Sequence, residues 1–269
     1  MGQVLLQDNI PTPVVASTTT LTLAASNLGQ PTSITIGGQA YTPSAIITLN
    51  TATTGANGLD TGALGAIQLW YIYAIVHNST FVPALVASLA VPSTGPSMAS
   101  GSALNGAYGT AYKLVGAFYT NGSSQVGSIV PITGPATTGW MSYTPTVVGV
   151  TSITTNVANW RRVGTGIQIS GHFVATASGT VTQFRLALPA GLTFDAAQLT
   201  GAITGFMRLG SASFQAGPNT PYSVYASSST TVSFITTTGG DINGNSFSAG
   251  DRLLYEHTAP ITGWNPTLL

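Results

Sequence analysis

Strict alternation of apolar and polar residues is the feature that most constrains the fold of this chain. In residues 166–176, isoleucine, glycine or phenylalanine stands at every odd position from 167 to 173, with glutamine, serine and histidine between them. Successive side chains of a strand point to opposite faces, so this period of two predicts a strand with one buried face. Residues 182–189 repeat the pattern, with Phe184, Leu186 and Leu188 on the apolar face.

The composition contains few of the residues that favour helices. Glu, Lys and Arg are scarce, since the 269 residues include six acidic and six basic side chains, whereas about a quarter of an ordinary soluble domain is charged. Thr and Ser make up a quarter of the chain and Gly adds 32 residues, which favours strands and turns. We therefore expect an all-β protein, in which residues 81–91 are the best candidate for one short helix.

Turn residues separate the predicted strands. Asn121-Gly122 lies between two apolar runs, and such a pair favours a tight hairpin because both central positions accept positive φ. Gly37-Gly38, between TSITI and QAYTP, predicts a second hairpin in the same way.

The strand pattern pauses in small residues at 135–140, and this pause predicts a boundary between two domains. We expect an extended N-terminal arm over residues 1–30, which two prolines interrupt, and a β domain over residues 31–136. The C-terminal domain, residues 140–269, offers about eight short strands at the spacing of a sandwich or jelly roll. The expected fold is therefore two β-sandwich or jelly-roll-like domains preceded by the arm.

The scarcity of charge and the absence of cysteine exclude several functional classes. One lysine, Lys113, and five arginines cannot neutralise a run of phosphates, so we expect no nucleic-acid partner. Without cysteine, the chain has no disulfide framework, thiolate-bound zinc, iron–sulfur cluster or cysteine nucleophile. The first ten residues lack a basic stretch followed by an apolar core, so we expect no signal peptide.

The longest uncharged stretch lies between Asp60 and Lys113 and contains the apolar runs 69–76 and 81–91. Both runs are shorter than the roughly 20 residues of a membrane-spanning helix, and no basic residue flanks them, so we expect no membrane span. A large exposed apolar patch normally marks an interface, and we therefore predict a homo-oligomer. The candidate interface residues are Trp70, Tyr71, Ile72 and Tyr73.

The segment Leu59-Asp60-Thr61-Gly62 carries the sharpest signal for an enzyme. Aspartic peptidases place Asp-Thr-Gly at the end of a strand, where two such aspartates share one proton. The residues before Leu59 are a glycine-rich loop rather than an apolar strand. The alternative is a turn in which the Asp60 carboxylate accepts backbone N–H bonds. We prefer the turn, and we expect no catalytic residue in this chain.

Metal-binding patterns are incomplete. The run Asp241-Ile-Asn243-Gly-Asn245 opens like a calcium loop, but Ser246 and Arg252 stand where such a loop needs glycine and glutamate. An Asx-rich turn is the default interpretation, and a weak, irregular cation site is the alternative. The three histidines lie far apart in the sequence without ligand spacing. We expect no metal and no cofactor.

Two features offer groups for contact with a ligand or a partner. Trp160-Arg161-Arg162 either contacts an acidic sugar or a neighbouring chain, or starts a strand with Trp160 in the core and both guanidinium groups solvated. The loops at 227–231 and 239–246 supply hydroxyls and amides, and tyrosines beside the first loop supply aromatic faces for carbohydrate. The net charge of zero argues against steering towards an anionic polymer. The candidate carbohydrate contacts are Tyr222, Tyr225, Asn243 and Asn245.

Six short segments connect the chain to a known class of protein. They are TLNTATTGANGLDTGAL, LWYIYAIV and YKLVGAFYTNGS in the first half, and WMSYTPTVVG, ANWRRVGTGIQISGHF and the terminal PITGW in the second. In the first half a Gly-Leu-Asp-Thr-Gly loop precedes an aromatic strand, and in the second an aromatic residue, an arginine and a glycine begin a strand. Over roughly residues 30–135 and 140–264, the chain resembles tail-fibre and related virion fibre proteins of tailed bacteriophages.

This resemblance implies a β-rich, usually trimeric virion protein that has no cofactor and mediates host attachment. Residues 31–136 would form the oligomer and attach to other virion proteins, whereas residues 140–269 would point outward and bind host-surface carbohydrate. A rival remains open, namely a capsid decoration or head-fibre protein with a purely structural role. In either case we expect the protein in the virion, after synthesis in the host cytoplasm.

Overall fold

The computed structural model describes residues 8–98, 101–132, 135–198, 212–214, 220–236, 240–265 and 267, with the backbone alone at 155, 212–214, 220–225 and 236. The chain divides into two compact units, Met1–Gly134 with Thr267–Leu269 and Pro135–Pro266. Regular structure in the described residues is β-strand apart from one 3₁₀ turn at Gly244–Ser246, which confirms the all-β prediction. In these residues no helix has the length and apolar character needed to cross a membrane.

Unit 1 contains two larger sheets and two small hairpins. In chain order, its strands are β1 (Val14–Val15), β2 (Thr20–Leu23), β3 (Ser26–Asn27), β4 (Gln30–Pro31), β5 (Ile34–Ile36), β6 (Gln39–Tyr41), β7 (Ile47–Asn50), β8 (Gly58–Leu59), β9 (Leu69–Val76), β10 (Pro83–Ser88), β11 (Lys113–Thr120) and β12 (Val126–Val130). One sheet has the order β1-β2-β7, and the other has the order β12-β11-β9-β10-β8. Strands β3 and β4, and strands β5 and β6, form the hairpins.

Strand β9 lies in the middle of the five-stranded sheet and is buried on both faces. Trp70 and Ile72 point to a core that they share with residues of β2, β5 and β7. Tyr73 points to the opposite face, where it packs in a second cluster with Leu104 from the connection between β10 and β11. Unit 1 thus covers both faces of this strand with its own chain.

The predicted oligomer interface is therefore wrong for three of its four residues. Trp70, Ile72 and Tyr73 are at most 1% exposed within the single chain, and Tyr71 is partly buried. An uncharged apolar run is typical both of an interface strand and of a strand buried on two faces. Here the connection between β10 and β11 covers the second face of β9.

Residues 14–31 differ from the extended arm expected over residues 1–30. They contain β1 to β4, and Leu21 and Leu23 of β2 are fully buried in the core of unit 1. The alternation of threonine and leucine gives β2 one apolar face, and pairing with β7 places that face in the core. These residues are a structural part of unit 1.

Residues 81–91, the candidate helix, contain strand β10 instead. This strand pairs antiparallel with β9 and parallel with β8, and all six of its residues are buried. The run has neither a polar face nor charged residues that would favour a helix. A short, continuous apolar run does not distinguish a buried helix from a buried strand, and pairing within the sheet determines its structure.

Both predicted hairpins are confirmed, although the turn at Asn121-Gly122 differs from the one expected. Gly37 and Gly38 have φ of +58° and +84° and connect β5 to β6, as a tight two-residue turn requires. Between β11 and β12, the positive φ of +58° falls at Ser124 rather than at Gly122. The side-chain oxygen of Asn121 accepts two backbone N–H bonds in this longer turn, which is why an asparagine begins it.

The described residues of unit 2 form one nine-stranded sheet. In chain order, its strands are β13 (Met141–Tyr143), β14 (Val147–Val148), β15 (Ile153–Val163), β16 (Gly166–Ala175), β17 (Arg185–Ala187), β18 (Ala212–Phe214), β19 (Thr220–Ala226), β20 (Thr231–Thr236) and β21 (Arg252–Pro260). The order across the sheet is β13-β15-β16-β21-β18-β19-β20-β17-β14. The pairings are antiparallel.

Aromatic rings join strands of unit 2 that are far apart in the sheet. The ring centroid of Phe173 in β16 lies 5.0 Å from that of Phe184, which lies 5.1 Å from that of Phe234 in β20. Three strands separate β16 from β20 in the sheet order, so the sheet curves and encloses this core. The apolar faces predicted within 166–176 and 182–189 are buried there, which confirms their alternation.

Close contact between glycines positions one loop of unit 2. A Cβ atom on Gly244 would lie 1.7 Å from the carbonyl oxygen of Gly149, and one on Gly179 would lie 2.1 Å from the same oxygen. The N–H of Gly179 donates to the carbonyl of Gly244 at 3.0 Å. Glycine alone permits this approach, which holds residues 241–246 against the backbone at position 149.

Leu21 and Leu28 make a matched pair that tests whether the N-terminal strands belong to the core. Leu21 is fully buried, whereas Leu28 is 96% exposed. We expect Leu21→Ala to lower the free energy of unfolding of unit 1 by about 2–5 kcal/mol because it leaves a cavity. Leu28→Ala should change it by less than about 0.5 kcal/mol. Urea unfolding followed by circular dichroism measures both, and equal stability of the two variants would contradict the placement of β2.

Candidate functional site

The three side chains of Trp160-Arg161-Arg162 alternate between the two faces of β15. Trp160 is fully buried, which confirms its place in the core, and Arg162 lies on the same face with 3% exposure. Arg161 points to the outer face and is partly buried. The expectation that both guanidinium groups are solvated is therefore wrong for Arg162, because alternation along the strand places it beside Trp160.

Backbone carbonyls and an aromatic ring surround the guanidinium group of Arg162. Its Nε donates to the carbonyl of Gly164 at 3.0 Å, and its Nη2 donates to the carbonyl of Asn265 at 2.6 Å. Its guanidinium carbon lies 4.8 Å from the centroid of the Trp264 ring. The backbone N–H of Arg162 donates to Oγ1 of Thr138 at 2.8 Å. Arg162 thus holds β15 to the first and the last described segments of unit 2.

Arg161 belongs to a row of side chains on the outer face. Its guanidinium carbon lies 4.7 Å from the ring centroid of Trp140, and Trp140 is 46% exposed. Its Nε donates to Oε1 of Gln168 at 2.7 Å. Nε2 of Gln168 in turn donates to Oε1 of Glu256. We call these four residues, Trp140, Arg161, Gln168 and Glu256, the Trp140 platform.

The register of the sheet builds the Trp140 platform. Arg161 of β15 lies directly opposite Gln168 of β16, and Gln168 lies opposite Thr258 of β21. Trp140 precedes β13, the edge strand that pairs with β15. Because neighbouring strands lie about 4.8 Å apart, the row extends over roughly 14 Å.

The next row on the same face consists of neutral polar residues and ends at Glu256. It contains Ser142, Asn159 and Ser170, which are paired across β13, β15 and β16, and Ser170 is paired with Glu256. The face therefore presents hydroxyl, amide and guanidinium groups beside an exposed indole ring. Aromatic faces with a few placed polar groups are the usual material of a binding surface for polar ring-shaped ligands.

Tyr222 and Tyr225, two of the predicted carbohydrate contacts, lie in β19. Their side chains lie outside the described part of the structure. The other two predicted contacts lie at the 3₁₀ turn, where Asn243 is partly buried and Asn245 is exposed. The backbone N–H of Asn245 donates to the carbonyl of Thr180 at 2.7 Å.

The two predicted carbohydrate loops lie at opposite ends of β20. Residues 227–230 precede its first residue, Thr231, whereas Asp241 bridges Ile235 near its last residue. At about 3.3 Å per residue, the two ends are roughly 17 Å apart. The structure does not bring the two loops together into one surface.

Asp60 directly follows β8, and its carboxylate is 6% exposed. Oδ2 accepts the hydroxyl of Ser88 at 2.9 Å and the backbone N–H of Ser97 at 2.7 Å. The turn interpretation predicts N–H bonds from the turn itself, whereas the N–H bond described here comes from Ser97, 37 residues further along the chain. Asp60 thus ties the loop that follows β10 to the end of β8.

The candidate cation site and the histidines do not converge in the described residues. Asp241 is exposed, and no group of three or more histidine or acidic residues suitable for a metal occurs in the described ranges. The Nδ1 atom of His77 accepts two backbone N–H bonds of its own turn. His172 lies on the outer face of β16, and His257 lies on the inner face of β21.

Unit 1 has a groove of about 520 Å³ between residues 8–13 and strands β11 and β12. Its walls are mainly apolar, and Nζ of Lys113 lies 2.7 Å from Oδ2 of Asp8. Burial raises the pKa of Asp8, but hydrogen bonds from Lys113 and from the backbone N–H of Thr35 lower it by more. The pKa of Asp8 is therefore below its ordinary value. The two charged groups satisfy each other, and we assign no chemistry to this groove.

Gln168 and Glu256 are absent from the sequence-based candidates. The two-residue turn Gly164-Thr165 could have identified them from the sequence. This turn makes Val163 and Gly166 a directly opposed pair of residues in the hairpin. Counting back from that pair places Arg161 opposite Gln168. The alternation of β16 already turns Gln168 outward, so the turn and the alternation together indicate the row.

Comparison with known protein families, with characterised proteins and with solved structures gave no match.

Arg162 should contribute far more to stability than its neighbour Arg161. We expect Arg162→Ala to lower the free energy of unfolding of unit 2 by about 2–4 kcal/mol, because it removes charged hydrogen bonds and a buried cation–π contact. Arg161→Ala should cost less than about 1 kcal/mol, because its contacts are partly exposed. Tryptophan fluorescence during urea unfolding reports mainly on unit 2, where three of the four tryptophans lie. Equal losses in the two variants would show that Arg162 does not hold the segments together.

Acid should destabilise unit 2 through His257. Its imidazole is 3% exposed, its Nε2 has no hydrogen-bond partner in the described structure, and burial lowers its pKa from 6.5 to about 4. Below pH 6.5 the unfolded chain therefore binds a proton that the folded chain does not bind until about pH 4. Stability falls as the pH decreases through this window, by as much as about 3 kcal/mol.

His257→Gln is the control for this prediction, because glutamine does not titrate. The free energy of unfolding of the variant, measured at pH 7, 5.5 and 4, should fall less steeply than that of the natural chain. The same pH dependence in both proteins would assign the acid sensitivity to other groups.

Proposed function

We propose that this chain is a non-enzymatic structural protein of the virion of a tailed bacteriophage, a short tail fibre or a component of a receptor-binding fibre. In this role it is made in the host cytoplasm, joins other virion proteins and mediates attachment to the host. Unit 1 serves in attachment to the particle and in oligomerisation, and unit 2 contacts the host surface.

The position of the resembling segments supports this proposal. LWYIYAIV forms β9, the central strand of the five-stranded sheet, and YKLVGAFYTNGS contains β11 and its turn. In unit 2, ANWRRVGTGIQISGHF forms most of the β15–β16 hairpin. The segments that resemble fibre proteins therefore include the strands on which each unit is built.

A homotrimer remains our proposal for the assembly, with a different interface. Trp70, Ile72 and Tyr73 are buried within unit 1, so other apolar residues must make the contact. Phe81 and Val82, in the turn between β9 and β10, are 64% and 59% exposed. Apolar side chains of this size at a turn are suited to contact between copies of the chain.

The Trp140 platform is the observation that carries the role in host attachment. An exposed indole stacked on an arginine, beside an amide and a carboxylate, can bind carbohydrate by ring stacking and hydrogen bonds. The net charge of zero gives little long-range steering. Weak contacts repeated across a trimer and across several fibres would supply the affinity.

Antibodies against the full chain, conjugated to gold, test the proposed location. We expect gold on the tails of phage particles in electron micrographs and none with pre-immune antibodies. The purified full chain should have the mass of a trimer in light scattering, and it should compete with particles for adsorption to host cells. Gold on the head would favour the decoration or head-fibre alternative, and particles without gold would overturn the virion assignment.

A further inference from the structure

We infer that the Trp140 platform binds a short oligosaccharide of neutral sugars, whose adjacent hydroxyl groups bridge Arg161 and Glu256. This inference deepens the proposed function and rests on it only for the biological source of the sugar. The binding chemistry itself rests on the geometry of the outer face of unit 2.

Trp140 supplies the stacking surface. Nearly half of its side chain is exposed at 46%, and Arg161 lies on its ring at 4.7 Å. The guanidinium group is itself held by Gln168, so the indole is oriented by a partner that is already fixed. An aromatic ring held in place loses little conformational freedom when a sugar ring packs on its open side.

The platform has one donor group and one acceptor group available for a ligand. The Nη1 and Nη2 groups of Arg161 donate to no acceptor in the described residues, since the guanidinium bonds there only through Nε to Gln168. Glu256 accepts the Gln168 amide with Oε1, and Oε2 has no described donor. A sugar hydroxyl both donates and accepts a hydrogen bond, so neighbouring hydroxyls can satisfy both groups at once.

The charges of the platform favour a neutral sugar over a carboxylated one. Arg161 and Glu256 carry opposite charges in neighbouring rows and are connected through Gln168. A sugar carboxylate that approached Arg161 would also meet the carboxylate of Glu256. Arg252 lies on the same face of β21 four residues away, about 13 Å along the strand, which exceeds the screening length at physiological salt.

The size of the platform favours an oligosaccharide over a single sugar. Its row of side chains extends over four strands, roughly 14 Å. One ring stacked on Trp140 leaves Gln168 and Glu256 uncovered, and further rings along the row would reach them. Thr258, opposite Gln168, adds an exposed hydroxyl at the far end.

Binding to matched sugar panels tests the inference with the purified full chain. One panel contains neutral gluco-, galacto- and manno-configured oligosaccharides, and the other contains the same sugars oxidised to carboxylates at C6. We expect binding within the neutral panel and weaker binding to the matched carboxylates. Trp140→Ala, Arg161→Gln and Glu256→Gln should each weaken binding by about tenfold or more, because each removes a stacking surface or a charged hydrogen bond.

Arg185→Gln is the matched control, because Nε of Arg185 donates to Oε1 of Gln183 at 2.9 Å in the same arrangement as in the Trp140 platform. It should leave sugar binding within about twofold of the natural chain. Tighter binding of Glu256→Gln, or a preference for the carboxylate panel, would overturn the neutral sugar in favour of an acidic one. Binding to neither panel would overturn the sugar site, and gold labelling of tails would then still support the virion role.

Discussion

The pleat of strand β15 is the constraint on which both the core and the outer surface of unit 2 depend. Because successive side chains point to opposite faces, Trp160 and Arg162 lie inside only if Arg161 lies outside. The pairing with β16 extends this relation, since Gln168 turns outward opposite Arg161. A shift of one residue would bury Arg161 and expose Trp160, so the core and the Trp140 platform would be lost together.

In unit 1, neutral hydrogen bonds connect strands to loops, as ion pairs do in proteins that are rich in charged residues. Among the described residues of unit 1, Lys113 and Asp8 form an ion pair. Elsewhere hydroxyls connect strands to loops: Oγ1 of Thr120 donates to the carbonyl of Gly65 at 2.6 Å and accepts the N–H of Gln68 at 2.8 Å. Such bonds need no counter-ion, so a chain poor in charge can still have well-defined loops.

Local sequence patterns predicted the strands and turns of this chain better than they predicted which residues cover each face of a strand. Alternation identified the buried faces in 166–176 and 182–189, and a glycine pair identified the turn at 37–38. These features depend on neighbouring residues. The burial of Tyr73 depends on Leu104, a residue far along the chain, and no local pattern distinguishes such a cover from a second protomer. The Trp140 platform likewise needs a register across four strands.

The contacts of Arg162 also bring the two ends of unit 2 together. Through Thr138 and Asn265 this one residue holds the entering and the leaving segments beside the same strand. A fold whose two ends lie together can be inserted into another protein, or exchanged for another fold, without opening its sheet. Unit 2 therefore has the geometry of a transferable module, which recombination could move between proteins as one piece.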